Sequence, residues 1–130
     1  MTTQAQLRNR YAREQVTTAS PAKLVTMLYD RLLKDLNDAE QGLGSHDIPL
    51  THNALVHAQD IVRELSSSLD VTVWAEAANL QRLYAWVLDE LMTANLEKNA
   101  EHVQNARDVI QPLAEAWHEV ARQGITGERS

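Results

Sequence analysis

Leu24, Leu28, Leu32, Leu36, Ala39 and Leu43 recur at intervals of three and four residues, and Val25, Tyr29 and Leu33 widen the same stripe. That spacing predicts a helix that buries one face. Ser20 and Pro21 suit its start, because a Ser hydroxyl accepts from the first turn and Pro needs no N–H at N1. Gly42 and Gly44 are read as its end, so the first helix is placed over 21–41. Ser45 or Asp47 is available to cap a second helix over 50–69, striped by Ala54, Leu55, Ala58, Ile61, Val62, Leu65 and Leu69. Ser66, Ser67 and Ser68 weaken its end. With Thr72 as a cap, a third helix over 74–94 turns Ala77, Leu80, Tyr84, Val87, Leu88 and Leu91 inward. Asn99 caps a fourth over 100–122, in which Val103, Ala106, Ile110, Leu113, Trp117 and Val120 keep the spacing and Pro112 removes one backbone donor. No stretch alternates as a strand does. Four helices of about 20 residues with short connections predict an all-α, antiparallel four-helix bundle.

The bundle is placed over 21–122, with a basic N-terminal arm or short helix over 1–20 and a flexible tail over 123–130. In the arm, Leu7, Tyr11 and Val16 trace a narrow apolar stripe, which reads either as a two-turn helix lying against the body or as a frayed tail. Residues 1–23 hold four cations (Arg8, Arg10, Arg13, Lys23) against Glu14, a net +3; the whole chain carries −6, so the remainder carries −9. The arm and the acidic body either dock or are separately solvated. An acidic body argues against a nucleic-acid partner. No apolar run has the length of a membrane span, so membrane insertion is not expected. The absence of a secretory apolar segment points to the cytoplasm.

Chemistry is sparse. There is no Cys, which excludes disulfides and thiolate sites. The single Glu-x-x-His spacing, Glu115 and His118, lacks the second pair that a di-iron bundle needs. His52 and His57 are five apart and do not share a helix face. The five His are read as solvated or lightly packed, and Glu40, Asp60, Asp89 and Glu90 as solvated surface. No cofactor, no metal and no enzymatic activity are expected. What remains is an apolar excess: Val25, Met27, Leu33, Val56, Leu83, Trp86 and Met92 fall beside or outside the stripes. They mark either a groove for a partner helix or a broad core.

Tyr11, TASPAKLVTMLYD (18–30), AQDIVRELSSSLD (58–70), ANLQRLY (78–84), LMTAN (91–95) and the late pair Ala116–Trp117 form an ordered set of segments. Read together, they resemble the FliS family of flagellin export chaperones. Their order holds from 11 to 122, and the first run is the most specific. The chain departs from the pattern at Arg31, around Val73 and Trp74, at Trp86 and at Pro112.

The resemblance implies a cytoplasmic chaperone that binds the disordered C-terminal segment of flagellin, prevents premature polymerisation and assists type III export. The alternative is a structural or signalling bundle that self-associates or binds another partner helix. Implied partners are flagellin, a component of the flagellar export gate and a possible homodimer. Leu24, Met27, Leu28, Tyr29, Leu33, Ile61, Leu65, Leu83 and Trp86 are the expected flagellin contacts, with Leu7 and Tyr11 in an autoinhibitory arm that covers them. Deleting residues 1–17 is expected to preserve the helical circular dichroism of the bundle and to change its calorimetric binding of flagellin; loss of helix would show that the arm is part of the fold.

Overall fold

The computed structural model describes residues 21–69, 72 and 76–127, with side chains through 123 and excepting Pro21. The described residues form four helices and no strand: α1 (Pro21–Gly44), α2 (Ile48–Ser67), α3 (Ala77–Glu97) and α4 (Ala100–Gly127). Each helix packs on its chain neighbours and α4 closes on α1, giving the expected antiparallel bundle; α3 and α4 pack least closely.

The ends of the helices differ from the expectation for local reasons. Gly42 does not stop α1. Neither Gly42 nor Gly44 has a positive φ, and the left-handed residue of this connection is His46, at φ 57°. Gly42 is needed for space instead: a Cβ there would lie 2.4 Å from Thr51 Oγ1 and 2.9 Å from Thr51 N. The first turn of α2 therefore presses on the last turn of α1, and Asp47 N donates to Gly42 O at 2.8 Å.

Asp47 caps α2, accepting from Leu50 N at 3.1 Å. At its other end, Ser68 Oγ donates to Leu65 O at 2.8 Å, which satisfies a terminal carbonyl and stops the helix short of Leu69. The start of α3 falls at Ala77 rather than 74. It ends beyond Ala94, where Lys98 takes a left-handed conformation at φ 53°. Asn99 caps α4 as expected, accepting from Glu101 N at 2.9 Å. That helix continues past 122 to Gly127, so the first residues assigned to a flexible tail are helical. It also passes through Pro112. Asp108, whose carbonyl loses its helical partner there, lies on the exposed face. The arm over 1–20 lies outside the described residues.

The core follows the predicted stripe fully on α2 except at Leu69, which is half-buried. On α1 it is Tyr29, Leu32, Leu36 and Ala39 that are wholly buried, while Leu24, Leu28 and Leu43 are partly exposed. Toward the end where both short connections lie, small residues (Ala39, Gly42, Thr51, Ala54, Ala94 and Ala106) are buried among Leu55, Leu91 and Val103. The other end holds the bulky Tyr29, Leu65 and Tyr84. There the Tyr29 and Tyr84 hydroxyls meet at 2.5 Å across the core, joining the diagonal helices α1 and α3. Burial pushes the Tyr29 phenol well above its ordinary pKa and raises that of Tyr84.

Four histidines, exposed or lightly packed as expected, nonetheless bond across the four seams. His57 bonds the buried Asp35 between α2 and α1, and Arg31 Nε sits 3.3 Å from the same carboxylate. His52 pairs with Asn95 at 3.0 Å between α2 and α3. His102 meets Glu90 at 2.5 Å between α4 and α3, and His118 meets Asp30 at 2.7 Å between α4 and α1. Arg107 reaches from α4 to Asn37 at 2.7 Å and also bonds Glu40. Glu40 and Glu90 are thus cross-helix partners rather than free surface. Such half-exposed pairs each contribute little to stability but fix how the helices face one another.

Two outcomes follow. Gly42→Ala should destabilise the bundle by about 1–3 kcal/mol, read as a lower urea midpoint, because backbone as well as side chain would have to move. The second concerns His102. Its pKa is raised chiefly by the hydrogen bond to Glu90, with the charges of Glu90, Glu97 and Glu101 adding and desolvation opposing. A pKa raised on folding adds stability that is fully present below the unfolded value of about 6.5 and is lost as pH rises through the folded value. His102→Gln should therefore flatten the decline in stability above about pH 6.5, measured by urea unfolding from neutral to alkaline pH.

Candidate functional site: an apolar groove between α3 and α4

Helical register, together with the bonds between helices, sorts the side chains by seam. On α1, Leu24, Leu28, Arg31 and Asp35 fall on one line, and Asp35 meets His57 of α2. Leu24 and Leu28 therefore face α2. Thr26, Asp30, Leu33 and Asn37 fall on another, and Asp30 and Asn37 bond α4. Leu33 therefore faces α4. On α3, Leu83, Trp86 and Glu90 share a line whose last member bonds His102 of α4. Gln81, Ala85, Leu88, Met92 and Asn95 lie on the α2 side, where Gln81 and Asn95 bond Ser66 and His52.

The nine expected contact residues thus belong to different seams and depths. Tyr29 is 0%, Ile61 6% and Leu65 2% exposed, so these three are core and a docking chain cannot reach them in this packing. Tyr29 lies on the core-facing side of α1 because its ring fills the bulky end and its hydroxyl finds Tyr84. Leu24, Leu28, Leu33 and Leu83 are half-buried. Met27 (54%) and Trp86 (42%) are exposed. Leu7 and Tyr11 fall outside the described residues.

The loosest seam opens into a groove of about 450 Å³ at the bulky end of the bundle. Its walls are Leu80 and Leu83 of α3 facing Leu113, Ala116, Trp117 and Val120 of α4, with Glu76 and Asn79 at the rim. Register extends the α3 wall by one turn to Trp86. Further along, the His102–Glu90 bond closes the same seam. Of the expected residues, only Leu83 lines the groove and Trp86 adjoins it.

The sequence reading turned Leu80, Leu113, Trp117 and Val120 toward the core; Leu80, Leu113 and Trp117 are partly buried against it, whereas Val120 is exposed. The miss at Val120 has a geometric cause. Each i+3 step falls about 60° short of a full turn, so a run of such steps walks off the buried face. From Ile110 the buried line continues to Ala114, which is 2% exposed, whereas Leu113 and Val120 turn toward α3 and Val120 is 45% exposed. Ala114, at i+4 from Ile110, was the available signal.

Trp117 is shared between groove and core. It packs on the core cluster and lines the groove.

The lining offers apolar contact rather than a reacting group: Glu76 is its sole ionisable side chain. Among the described residues no cluster of His, Asp or Glu could hold a metal ion, and no described helix is long and apolar enough to cross a membrane. An open trough with an apolar floor and a polar rim accepts the apolar stripe of an amphipathic chain, most naturally a helix laid along it.

Comparisons with known proteins agree in naming one family. The chain is 33% identical to the flagellar secretion chaperone FliS of Campylobacter jejuni over 86% of its own length and 88% of that protein's. It is 27% identical to the Bacillus subtilis chaperone of the same name, covering 92% and 86%, and 32% identical to that of Salmonella typhimurium, covering 82% and 80%. The family model described as flagellar protein FliS matches residues 3–124. The chain, from the arm through nearly the whole of α4, belongs to the FliS family.

Proposed function

We propose that this protein is a cytoplasmic export chaperone that holds the disordered C-terminal segment of flagellin along the α3–α4 groove. In that role it prevents flagellin from polymerising in the cell and hands it to a component of the flagellar type III export gate. The observation that carries this reading is an apolar trough open between α3 and α4. Family membership and the chaperone names of the relatives support it.

The energetics suit temporary custody. Ordering a disordered segment costs roughly 2–5 kcal/mol. Each well-buried Leu or Ile of the ligand returns about 2 kcal/mol, so a few anchors against Leu83, Leu113 and Val120 give net binding without making release slow. No chemical step is required, and the protein acts as a competitor for the surface that flagellin otherwise offers to its own kind. The basic arm, which carries Leu7 and Tyr11, is proposed to cover part of this apolar surface in the free chaperone. Arm closure would lower apparent affinity by the fraction of molecules closed.

The exposed Leu96 and Met92, at 86% and 48%, favour a second reading in which an apolar face joins two copies of the bundle. Light scattering with and without flagellin separates the two, since a dimer indifferent to flagellin favours self-association.

The central test is calorimetric titration with a peptide of the cognate flagellin C-terminal segment. Leu83→Asp and Val120→Asp should each weaken binding by about tenfold or more, roughly the loss of one apolar anchor. Their unfolding midpoints should stay close to the parent's, because both side chains lie at the groove rather than in the core. Asp60→Asn, on the exposed face of α2, should bind as the parent does. Unchanged affinity in both groove variants would remove the groove from the mechanism.

A further inference from the structure

The seam between α2 and α3 is a ladder with one unmatched rung. Register sets His52, Gln59 and Ser66 of α2 opposite Asn95, Leu88 and Gln81 of α3. The outer rungs are bonded, His52 to Asn95 at 3.0 Å and Gln81 to the Ser66 carbonyl at 3.4 Å. The middle rung sets an amide against an aliphatic side chain. Gln59 is 9% exposed and bonds no described residue. A buried amide in that state destabilises the fold and leaves a donor and an acceptor open to a ligand.

Beside this rung the seam carries apolar side chains in water. Val56 of α2 and, on successive turns of α3, Met92 and Leu96 are all exposed. One turn beyond Gln59 stands Arg63, paired with the exposed Asp60 at 3.3 Å, a contact easily exchanged in water. The strip lies on the flank of α3 away from the α3–α4 groove.

We infer that this strip is a second docking surface, for a helix of another protein laid over the α2–α3 seam. Its apolar residues would pack on Val56, Met92 and Leu96, an Asn or Gln would bond Gln59, and a carboxylate would meet Arg63. Gln59 gives up no internal hydrogen bond when its flexible side chain turns to such a partner. One bonded amide in an apolar contact fixes register, as a lone polar position does in a coiled coil, because a slip strands both amides. Arg63, a cation at one end of the strip on a body of net −9, sets the direction of the helix. The α3–α4 groove is lined by apolar side chains with Glu76 at its rim, so it fits a different stripe. The two surfaces can therefore be occupied together, one on each flank of α3.

The probe is a fluorescently labelled amphipathic helical peptide of about four turns, with a Leu stripe, one central Asn and a Glu toward one end. A twin carries Leu in place of the Asn. In anisotropy titrations the parent chain should prefer the Asn peptide by about 3- to 10-fold, the usual worth of one hydrogen bond. Gln59→Leu should reverse that preference and raise the urea midpoint, because it removes an unpartnered amide. Met92→Asp should weaken both peptides by about tenfold or more. The flagellin C-terminal peptide should leave the probe bound.

No binding of either peptide, or equal affinity for the two, would overturn the inference. So would a lower urea midpoint in Gln59→Leu, which would show the amide to be a satisfied part of the fold. Displacement of the probe by the flagellin peptide would assign the strip to flagellin instead. A dimer seen in sedimentation of the parent and abolished by Met92→Asp would assign it to a second copy of this chain.

Discussion

Two phenol hydroxyls buried in an apolar core constrain this bundle more than any other pair. Left alone, each would cost about 1–3 kcal/mol of desolvation. Joined to each other, they satisfy one another and remove that cost only in one relative placement of α1 and α3. These helices are diagonal and are not connected in sequence, so the Tyr29–Tyr84 bond sets a register that no loop specifies. The neighbouring helices then have little freedom. Asp35–His57 and Asp30–His118 fix how α2 and α4 sit on α1, and Glu90–His102 and Asn95–His52 do the same around α3. Sheer apolar area would hold four helices together in many rotations. The polar pairs select among them.

The same arrangement makes the bundle unlike at its two ends. Small side chains and the Gly42–Thr51 approach draw the helices close beside the short connections. Two tyrosines, Leu65 and Trp117 occupy the far end, where the groove opens between α3 and α4, the seam that packs least closely.

Much of this architecture can be read in the chain, and what cannot has a common cause. Helix number, order and the whole stripe of α2 follow from periodicity, and Asp47 and Asn99 announce their caps. Gly42 was legible as special but not for its reason, since a glycine that ends a helix and one that admits a neighbour look alike until the neighbour is placed. The seam histidines were invisible for the same reason: His57 finds Asp35 across 22 residues, and His118 finds Asp30 across 88. Tyr29, Ile61 and Leu65 were chosen as ligand contacts because periodicity gives direction but not depth. Val120 was assigned to the core because an i+3 step and an i+4 step were counted as equivalent.

A groove whose floor is a core residue links folding and recognition in a way that a surface patch does not. A ligand that binds the folded chain alone stabilises it in proportion to the logarithm of its concentration over Kd. If part of its contact is Trp117, that stabilisation acts on the end of the bundle where Tyr29 and Tyr84 hold α1 to α3. In the proposed role, the empty bundle has its loosest seam where its ligand would lie, and an occupied one would have that seam packed from outside. That would give a physical reason for a small bundle to keep a Leu- and Trp-lined trough open to water: the exposed apolar area is a standing cost that an occupant would remove.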